Sequence, residues 1–334
     1  MIMFVVMSRD KAVLITGATG FVGSHLAQEL LNKGYKVRCL TRKTSNLRWL
    51  KHLNLDFVQG DIIFPETLPA AIEGVNYIFH IAAVKTAKYE KTYYDINYKG
   101  TLNLIDACSK YGKNIKKFVF LSSQAAVGPN CDDKPVNEDS FCNPISYYGK
   151  SKLKGEETLK KYMPHIPVVI IRPPSVYGPR DEDMFFFFKA VKRRIKPIIC
   201  DTTVNVIYID DLVRGIIIAA ESDISTGKIY FMADEKPYKL CEFLDEISKV
   251  LNVHAFEIKM PSTITKMAAL ISELTGKLSN KSPIFNRDKA KEMLQRCWIC
   301  DVSKAKNELK FHTQYSIKEG IERTVSWYKK YGWL

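Results

Sequence analysis

An α/β fold is predicted, a doubly wound parallel sheet with a smaller, interleaved and mostly helical companion domain, and three observations predict it. The run 12–16 (AVLIT) is short and continuously apolar up to Thr16, as expected of a strand buried on both faces. It breaks into Gly17, Gly20 and Gly23, after which Leu26, Ala27, Leu30 and Leu31 recur at helical spacing. Further apolar runs then alternate with helical stretches, until the pattern turns mainly helical from Pro237.

The first unit is strand, glycine turn, helix, which aims backbone N–H groups and a helix N-terminus at a diphosphate. Gly17 can take the positive φ of the tight turn, Gly20 lets phosphates approach, and Gly23 lets the helix pack close. Thr19, Phe21 and Val22 lie between and beside these glycines and join them as cofactor-binding candidates.

The second strand reads as 35–40, with Gly34 ending the helix before it. An NAD-preferring fold carries an acid about 20 residues beyond the glycines to hold the ribose 2′-hydroxyl. Thr41 stands there instead, followed by Arg42 and Lys43. A guanidinium binds a 2′-phosphate that a carboxylate would repel, which favours NADP(H) and leaves NAD(H) open. Arg42 could equally stack on adenine or face solvent.

Strands are expected at 55–59 and 75–83, the latter ending in the small residues Ala82 and Ala83. A helix spans 97–107. The buried strand 117–121 delivers Ser122 and Ser123 to its carboxyl end, where open α/β sheets place ligands. A looser segment covers 128–144, a helix runs from 147 to about 162, and strands follow at 168–171, 204–208 and 228–232, with a helix at 210–221 between the last two. Domain bounds of 9–175 plus about 204–234 for the nucleotide-binding part, and about 176–203 plus 235–334 for the substrate part, follow from this order.

Tyr148 and Lys152 are four apart and share one helix face. A free tyrosine, with a pKa near 10, is a poor acid–base group at neutrality, and a nearby ammonium favours its phenolate. With Ser123 orienting the same oxygen, the three form a proton-transfer site for a carbonyl/alcohol pair. Lys85, Phe185 and Tyr208 are added, with Ser123 and Tyr148, as substrate-side candidates.

The chain has 334 residues, is 46% hydrophobic and 26% charged, and carries a net charge of +14. That charge could favour NADP(H), an acyl thioester or nucleic acid, but the basic residues are dispersed, so a solvated lysine-rich surface is expected and no nucleic-acid partner. Eight cysteines, Cys39, Cys108, Cys131, Cys142, Cys200, Cys241, Cys297 and Cys300, read as reduced thiols rather than a disulfide framework. Cys297 and Cys300 have metal-ligand spacing but no second pair, so no metal is expected. Residues 1–7 are apolar but too short to span a membrane, and no signal peptide or transmembrane helix is read, so the location expected is cytoplasmic. Residues 264–274 could be an apolar lid, a membrane-surface helix or a packed helix; nothing else supports peripheral membrane contact.

Taken together, residues 16–23 (TGATGFVG), 121–123 (LSS), 148–152 (YGKSK) and 172–178 (RPPSVYG) resemble the extended short-chain dehydrogenase/reductases, the broad NAD-dependent epimerase/dehydratase group. The resemblance covers nearly the whole chain. It implies a Rossmann-type domain, a C-terminal substrate domain, and homodimers built on helices near 97–110 and 148–162. It also implies that Asp61 and Ile62 flank adenine, that Ala82 lies near the diphosphate or ribose, that Lys152 holds the nicotinamide ribose, and that Pro173 to Ser175 border the nicotinamide. The group includes epimerases, dehydratases and reductases, so it does not fix the substrate, a small molecule. Ser175 stands where sugar-nucleotide epimerases usually carry Asn, and Val127 where many carry Tyr; both resemble the dihydroflavonol-reductase and 3β-hydroxysteroid-dehydrogenase branch.

Residues 184–188 (MFFFF) fall where the resemblance puts substrate-contacting structure. Four successive phenylalanines cannot share one helix face, so core packing or dimer contact competes with pocket lining. The leading reading is an NADP(H)-dependent alcohol/ketone oxidoreductase favouring an apolar substrate. A nucleotide-sugar epimerase or dehydratase is the alternative, and a non-catalytic cofactor sensor or RNA binder a third.

Overall fold

The computed structural model describes residues 11–129, 134–278 and 285–334. The apolar reading of 1–7 and the thiol of Cys131 lie outside the described residues. Seven parallel strands form the main sheet: β1 (Ala12–Thr16), β2 (Lys36–Thr41), β3 (Asp56–Gln59), β4 (Tyr77–His80), β5 (Lys117–Leu121), β6 (Val168–Arg172) and, later in the chain, β11 (Lys228–Phe231). Their order is β11-β6-β5-β4-β1-β2-β3. The order reverses between β1 and β4, which opens a crevice at the carboxyl ends of those strands.

Side chains alternate across this sheet, so each strand feeds two cores. Val13 and Ile15 pack with α1 (Phe21–Asn32) and α7 (Ile209–Glu221) on one face. Leu14, Ile78, Phe118 and Phe120 pack with α4 (Gly100–Tyr111) and α5 (Tyr147–Tyr162) on the other. The short helices α2 (Pro69–Ile72) and α3 (Glu90–Tyr93) precede α4, and a π-helical stretch, Tyr94–Lys99, leads straight into it.

Residues 204–208 do not form the single strand expected. They divide into β9 (Thr203–Val204) and β10 (Val206–Tyr208), split by the buried Asn205. Asn205 Nδ2 donates to the Asp234 carbonyl at 2.8 Å and its Oδ1 accepts from Cys300 N at 2.9 Å, tying three distant segments together. β10 pairs in parallel with β7 (Ser175–Tyr177) and β8 (Ile195–Ile198) in parallel with β13 (Phe256–Lys259), while β9 lies antiparallel to β12 (Tyr238–Lys239) and parallel to β14 (Cys297–Trp298). Helices α6 (Phe185–Lys192), α8 (Leu240–Leu251), α9 (Ser262–Leu278), α10 (Arg287–Met293), α11 (Ser303–Leu309) and α12 (Ile317–Lys330) complete the C-terminal part.

The seven described cysteines are free thiols, and no group of metal-ligating residues is present among the described residues. No helix among them is long and apolar enough to cross a membrane.

Candidate active site

The glycine turn is built by contact as well as by dihedral angle. Gly17 has φ 75°, and a Cβ there would stand 2.6 Å from Ala82 N. A Cβ at Gly23 would stand 2.1 Å from Gly17 O, so the helix approaches the turn more closely than any side chain permits. Gly20 caps α1 without a side-chain bond, and the first turn of α1 carries no acid. The first-turn N–H groups of Phe21, Val22 and Gly23, beside Thr19, therefore form an anion seat that suits a dinucleotide diphosphate.

Behind the turn runs a buried polar chain. Thr101 Oγ1 donates to the Asn97 carbonyl at 2.8 Å, so His80 Nε2, 2.9 Å away, must donate to Thr101. His80 Nδ1 then accepts from Thr16 Oγ1 at 2.7 Å. Burial, with help from the charge of Lys152, pushes the His80 pKa down to about 3, which agrees with this neutral ring. Asn97 extends the chain to the site: its Oδ1 accepts from Val84 N at 2.8 Å and its Nδ2 donates to Ser151 Oγ at 2.9 Å. The sequence reading did not single out His80 or Asn97. The π-helical turn that presents Asn97 has no sequence signature of its own.

β5 delivers Ser123, and α5 delivers Tyr148 and Lys152 to the same place. The Ser123 side chain stands beside the Tyr148 phenol, where its interaction favours the phenolate, and its Oγ accepts from Ala125 N at 3.1 Å. Lys152 is fully buried and its Nζ donates to the Leu121 carbonyl at 2.6 Å, 4.0 Å from the Phe120 ring centroid. Burial lowers the Lys152 pKa to about 7. The expectation that Lys152 depresses the Tyr148 pKa differs from what this geometry produces. Burial, followed by the Glu292 carboxylate, pushes Tyr148 up to about 12, and the ammonium of Lys152 is turned toward Leu121 instead.

Two supports hold these groups. Below, Arg172 clasps Glu156 with Nε–Oε1 at 3.0 Å and Nη2–Oε2 at 2.6 Å, both side chains buried, while Ser122 Oγ donates to the same carboxylate. Above, Ser146 caps α5 through Gly149 N at 2.9 Å. Asp288, from α10, accepts from Tyr147 N at 2.9 Å and from Tyr148 N at 3.3 Å, an anion at a helix N-terminus. Ser146 also donates to Glu292 Oε1 at 2.6 Å. The C-terminal part of the chain thus fixes the helix that carries Tyr148, from a sequence separation of some 140 residues.

The rim beside Tyr148 is charged. Lys85 pairs with Asp183, and Lys289 pairs with Glu292 at 3.3 Å. Glu292 holds Lys289 above the ordinary lysine range, and Asp183 and Lys85 also lie within its electrostatic reach.

The remaining candidates divide into two groups. Arg42 is exposed at the end of β2, where its N–H donates to Ser45 Oγ at 2.9 Å. Asp61 and Ile62 follow β3, which pairs with β2, and Ile62 packs under Gly100. Ala82 abuts Gly17, Ala83 is exposed beside it, Pro173 O accepts from Gln124 N at 2.9 Å, and Ser175 is exposed at the start of β7. These residues all follow the carboxyl ends of sheet strands.

Phe185 and Tyr208 go elsewhere. Phe185 packs on Tyr328 and Trp333, with centroids at 4.8 and 5.1 Å, and Tyr208 packs between Tyr177 and Tyr315. Phe187 and Phe188 are buried in the core and Phe186 is exposed. The expectation that Phe185 and Tyr208 contact substrate differs from this packing: Phe185, opening α6, and Tyr208, ending β10, each give their rings to an aromatic cluster.

Residues 13–233 match the family described as the NAD dependent epimerase/dehydratase family. The chain belongs to that family. A putative dihydroflavonol 4-reductase of Synechocystis sp. is 30% identical over 96% of this chain and 95% of its own. A ceramide reductase of Caulobacter vibrioides is 25% identical over 96% of each. Among solved structures, UDP-glucuronic acid 4-epimerase from Bacillus cereus in complex with NAD matches with a TM-score of 0.77 and 25% identity, over 96% of both chains. The NAD dependent epimerase/dehydratase family thus includes relatives named as reductases and as epimerases.

Proposed function

We propose that the protein is a reductase or dehydrogenase that interconverts a ketone and a secondary alcohol with NADP(H). The observation that carries this reading is the convergence of Ser123, beyond the carboxyl end of β5, on Tyr148, which lies one helical turn from Lys152 on α5. The bound dinucleotide supplies or accepts hydride. Tyr148 gives a proton to the carbonyl oxygen in reduction and takes it back in oxidation, Ser123 orients that oxygen, and Lys152 would hold the cofactor ribose. Gly17 to Gly23 and the N-terminus of α1 would hold the diphosphate, and Asp61 and Ile62 would flank the adenine.

Tyr148→Phe should abolish turnover while cofactor affinity stays within a few-fold, because the phenol supplies a proton and little dinucleotide contact. Lys152→Ala should damage both. Turnover of Tyr148→Phe near the wild-type rate would overturn the assignment.

Arg42 supports NADP(H). Its exposed guanidinium, with neutral Thr41 beside it, attracts a 2′-phosphate, and such a contact is worth on the order of 1.5–3 kcal/mol, or roughly tenfold to a hundredfold in affinity. Titration of NADPH and NADH against wild type and Arg42→Ala checks this; equal wild-type affinities would sink it.

The substrate is read as an apolar body whose reacting carbon lies near a polar or anionic group. Ser175, lacking the amide of an epimerase-type Asn, and the relatives named as reductases support the apolar body. The ion pairs Lys85–Asp183 and Lys289–Glu292 on the rim support the polar group. The same charged rim favours a second reading, a nucleotide-sugar epimerase in which hydride returns to the substrate. A panel of hydrophobic ketones and UDP- and GDP-sugars, followed by reduced-cofactor absorbance and product analysis, separates them: net cofactor consumption supports the first, and epimerised sugar without it the second.

A further inference from the structure

Helix α9 is inverted relative to an ordinary surface helix. Its inward positions are small or polar, with Thr265 at 1% and Ala269 at 0% exposure. Its outward positions are large and apolar, with Ile264 at 51%, Met267 at 62%, Ile271 at 56% and Leu274 at 51%. Steps of three, four and three residues put these four on one stripe, with Leu270 at its margin. A surface helix normally turns that stripe to the core, and contiguous exposed apolar surface marks an interaction site.

The strand just before α9 has the same character. Phe256 and Ile258 on β13 are exposed and, two apart, share a face, and Ile195 pairs with Phe256 across the β8–β13 ladder. Basic residues accompany this apolar surface. Lys192, Arg193 and Arg194 are exposed, and the Arg194 carbonyl accepts from Phe256 N at 3.0 Å; Lys259 and Lys266 are exposed beside and on α9.

We propose that α9, with β13, docks the protein on the surface of an anionic lipid bilayer, the helix lying in the interface plane. An amphipathic helix with basic flanks has the composition that binds there, by apolar burial plus attraction to anionic headgroups. A second copy of the chain would face these cations with its own, in a protein of net charge +14, whereas anionic lipid is complementary. The helix is also fixed to the body near the active site. Glu273 accepts from Arg287 N and Nε, each at 2.8 Å, and the next residue, Asp288, holds the N-terminus of α5. Docking on α9 would therefore set the cleft close to the lipid surface.

The test is co-flotation of the full-length protein with phosphatidylcholine vesicles, with and without phosphatidylglycerol, at low and high salt. Wild type should float with the phosphatidylglycerol vesicles and dissociate as salt rises. Met267→Glu/Ile271→Glu should lose more than about tenfold in vesicle affinity, and Lys259→Glu/Lys266→Glu should lose the preference for phosphatidylglycerol. Unchanged thermal midpoints and cofactor affinity keep folding out of the comparison, since all four positions are exposed. Failure of wild type to float, or unchanged flotation of the apolar double variant, would overturn the proposal. A dimer in sedimentation velocity that Met267→Glu/Ile271→Glu dissociates, without flotation, would reassign the stripe to self-association. These outcomes do not depend on which substrate the site turns over.

Discussion

Tyr148 holds its proton through two effects that act together, burial and the Glu292 carboxylate. A phenol held up to about 12 is the proton donor that reduction needs across the neutral range, while oxidation needs the phenolate. Below the pKa the phenolate fraction rises about tenfold per pH unit, so oxidation should accelerate with pH and reduction should stay level. Glu292→Gln keeps an acceptor for the Ser146 hydroxyl but removes the charge, so it should lower the Tyr148 pKa. The expected result is an oxidation limb moved to lower pH with the reduction profile unchanged, read from pH–rate profiles in both directions. The cofactor adds its charge to both enzymes, so the comparison isolates Glu292, and superimposable profiles would refute its role. Ser123, Tyr148 and Lys152 were legible in sequence because local spacing alone brings the last two together. Asp288, Glu292 and Asn97 were not, because each acts through a contact made across the fold.

At the scale of elements, the carboxyl ends of β5 and β6 and the middle of α5 are joined by Glu156, Arg172 and Ser122. Both charges lie out of water, so removing one leaves the other buried and uncompensated, a loss of about 3–5 kcal/mol. Glu156→Ala should cost that much in urea unfolding, and the variant should also misplace Lys152, which lies one turn from Glu156 on α5. A loss below about 1 kcal/mol would mean that water reaches Arg172. The sheet itself was legible, because a strand buried on both faces is a continuous apolar run whichever core each residue enters. Outside it, the later strands were legible only at 204–208, which covers β10 and half of β9. β9, β12 and β14 have two residues each, too few for any period, and form only where distant partners such as Asn205 and Cys300 meet. The phenylalanine run was legible in this respect: four successive rings cannot share one helix face, and the turn of 100° per residue buries Phe187 and Phe188 in the core while Phe186 faces outward.

Across the whole molecule, the C-terminal helix closes the structure on the Rossmann half. Tyr328 is fully buried, with its ring 4.8 Å from Phe185, 5.2 Å from Phe188 and stacked on Trp333 at 5.4 Å. Its hydroxyl donates to the Asp181 carbonyl at 2.9 Å and lies 3.4 Å from that of Gly178. The loop it holds carries Asp183, the partner of Lys85 on the rim, and Arg180, which donates to Ser24 and Gln28 on α1. One side chain thus connects the end of the chain to both the substrate rim and the cofactor helix. Two variants separate its packing from its grip. Tyr328→Ala removes a buried ring and should cost about 3–5 kcal/mol of stability. Tyr328→Phe keeps the ring and loses the hydroxyl contacts, so it should cost about 0.5–1.5 kcal/mol, plus the penalty of any carbonyl left unpaired. If the hydroxyl positions the loop, Tyr328→Phe should raise the substrate KM with kcat little changed, because Asp183 and Lys85 are displaced while Tyr148 stays on α5. Denaturant unfolding and steady-state kinetics on the two variants check this together. A stability loss in Tyr328→Phe as large as in Tyr328→Ala, or an unmoved KM, would leave Tyr328 with packing alone.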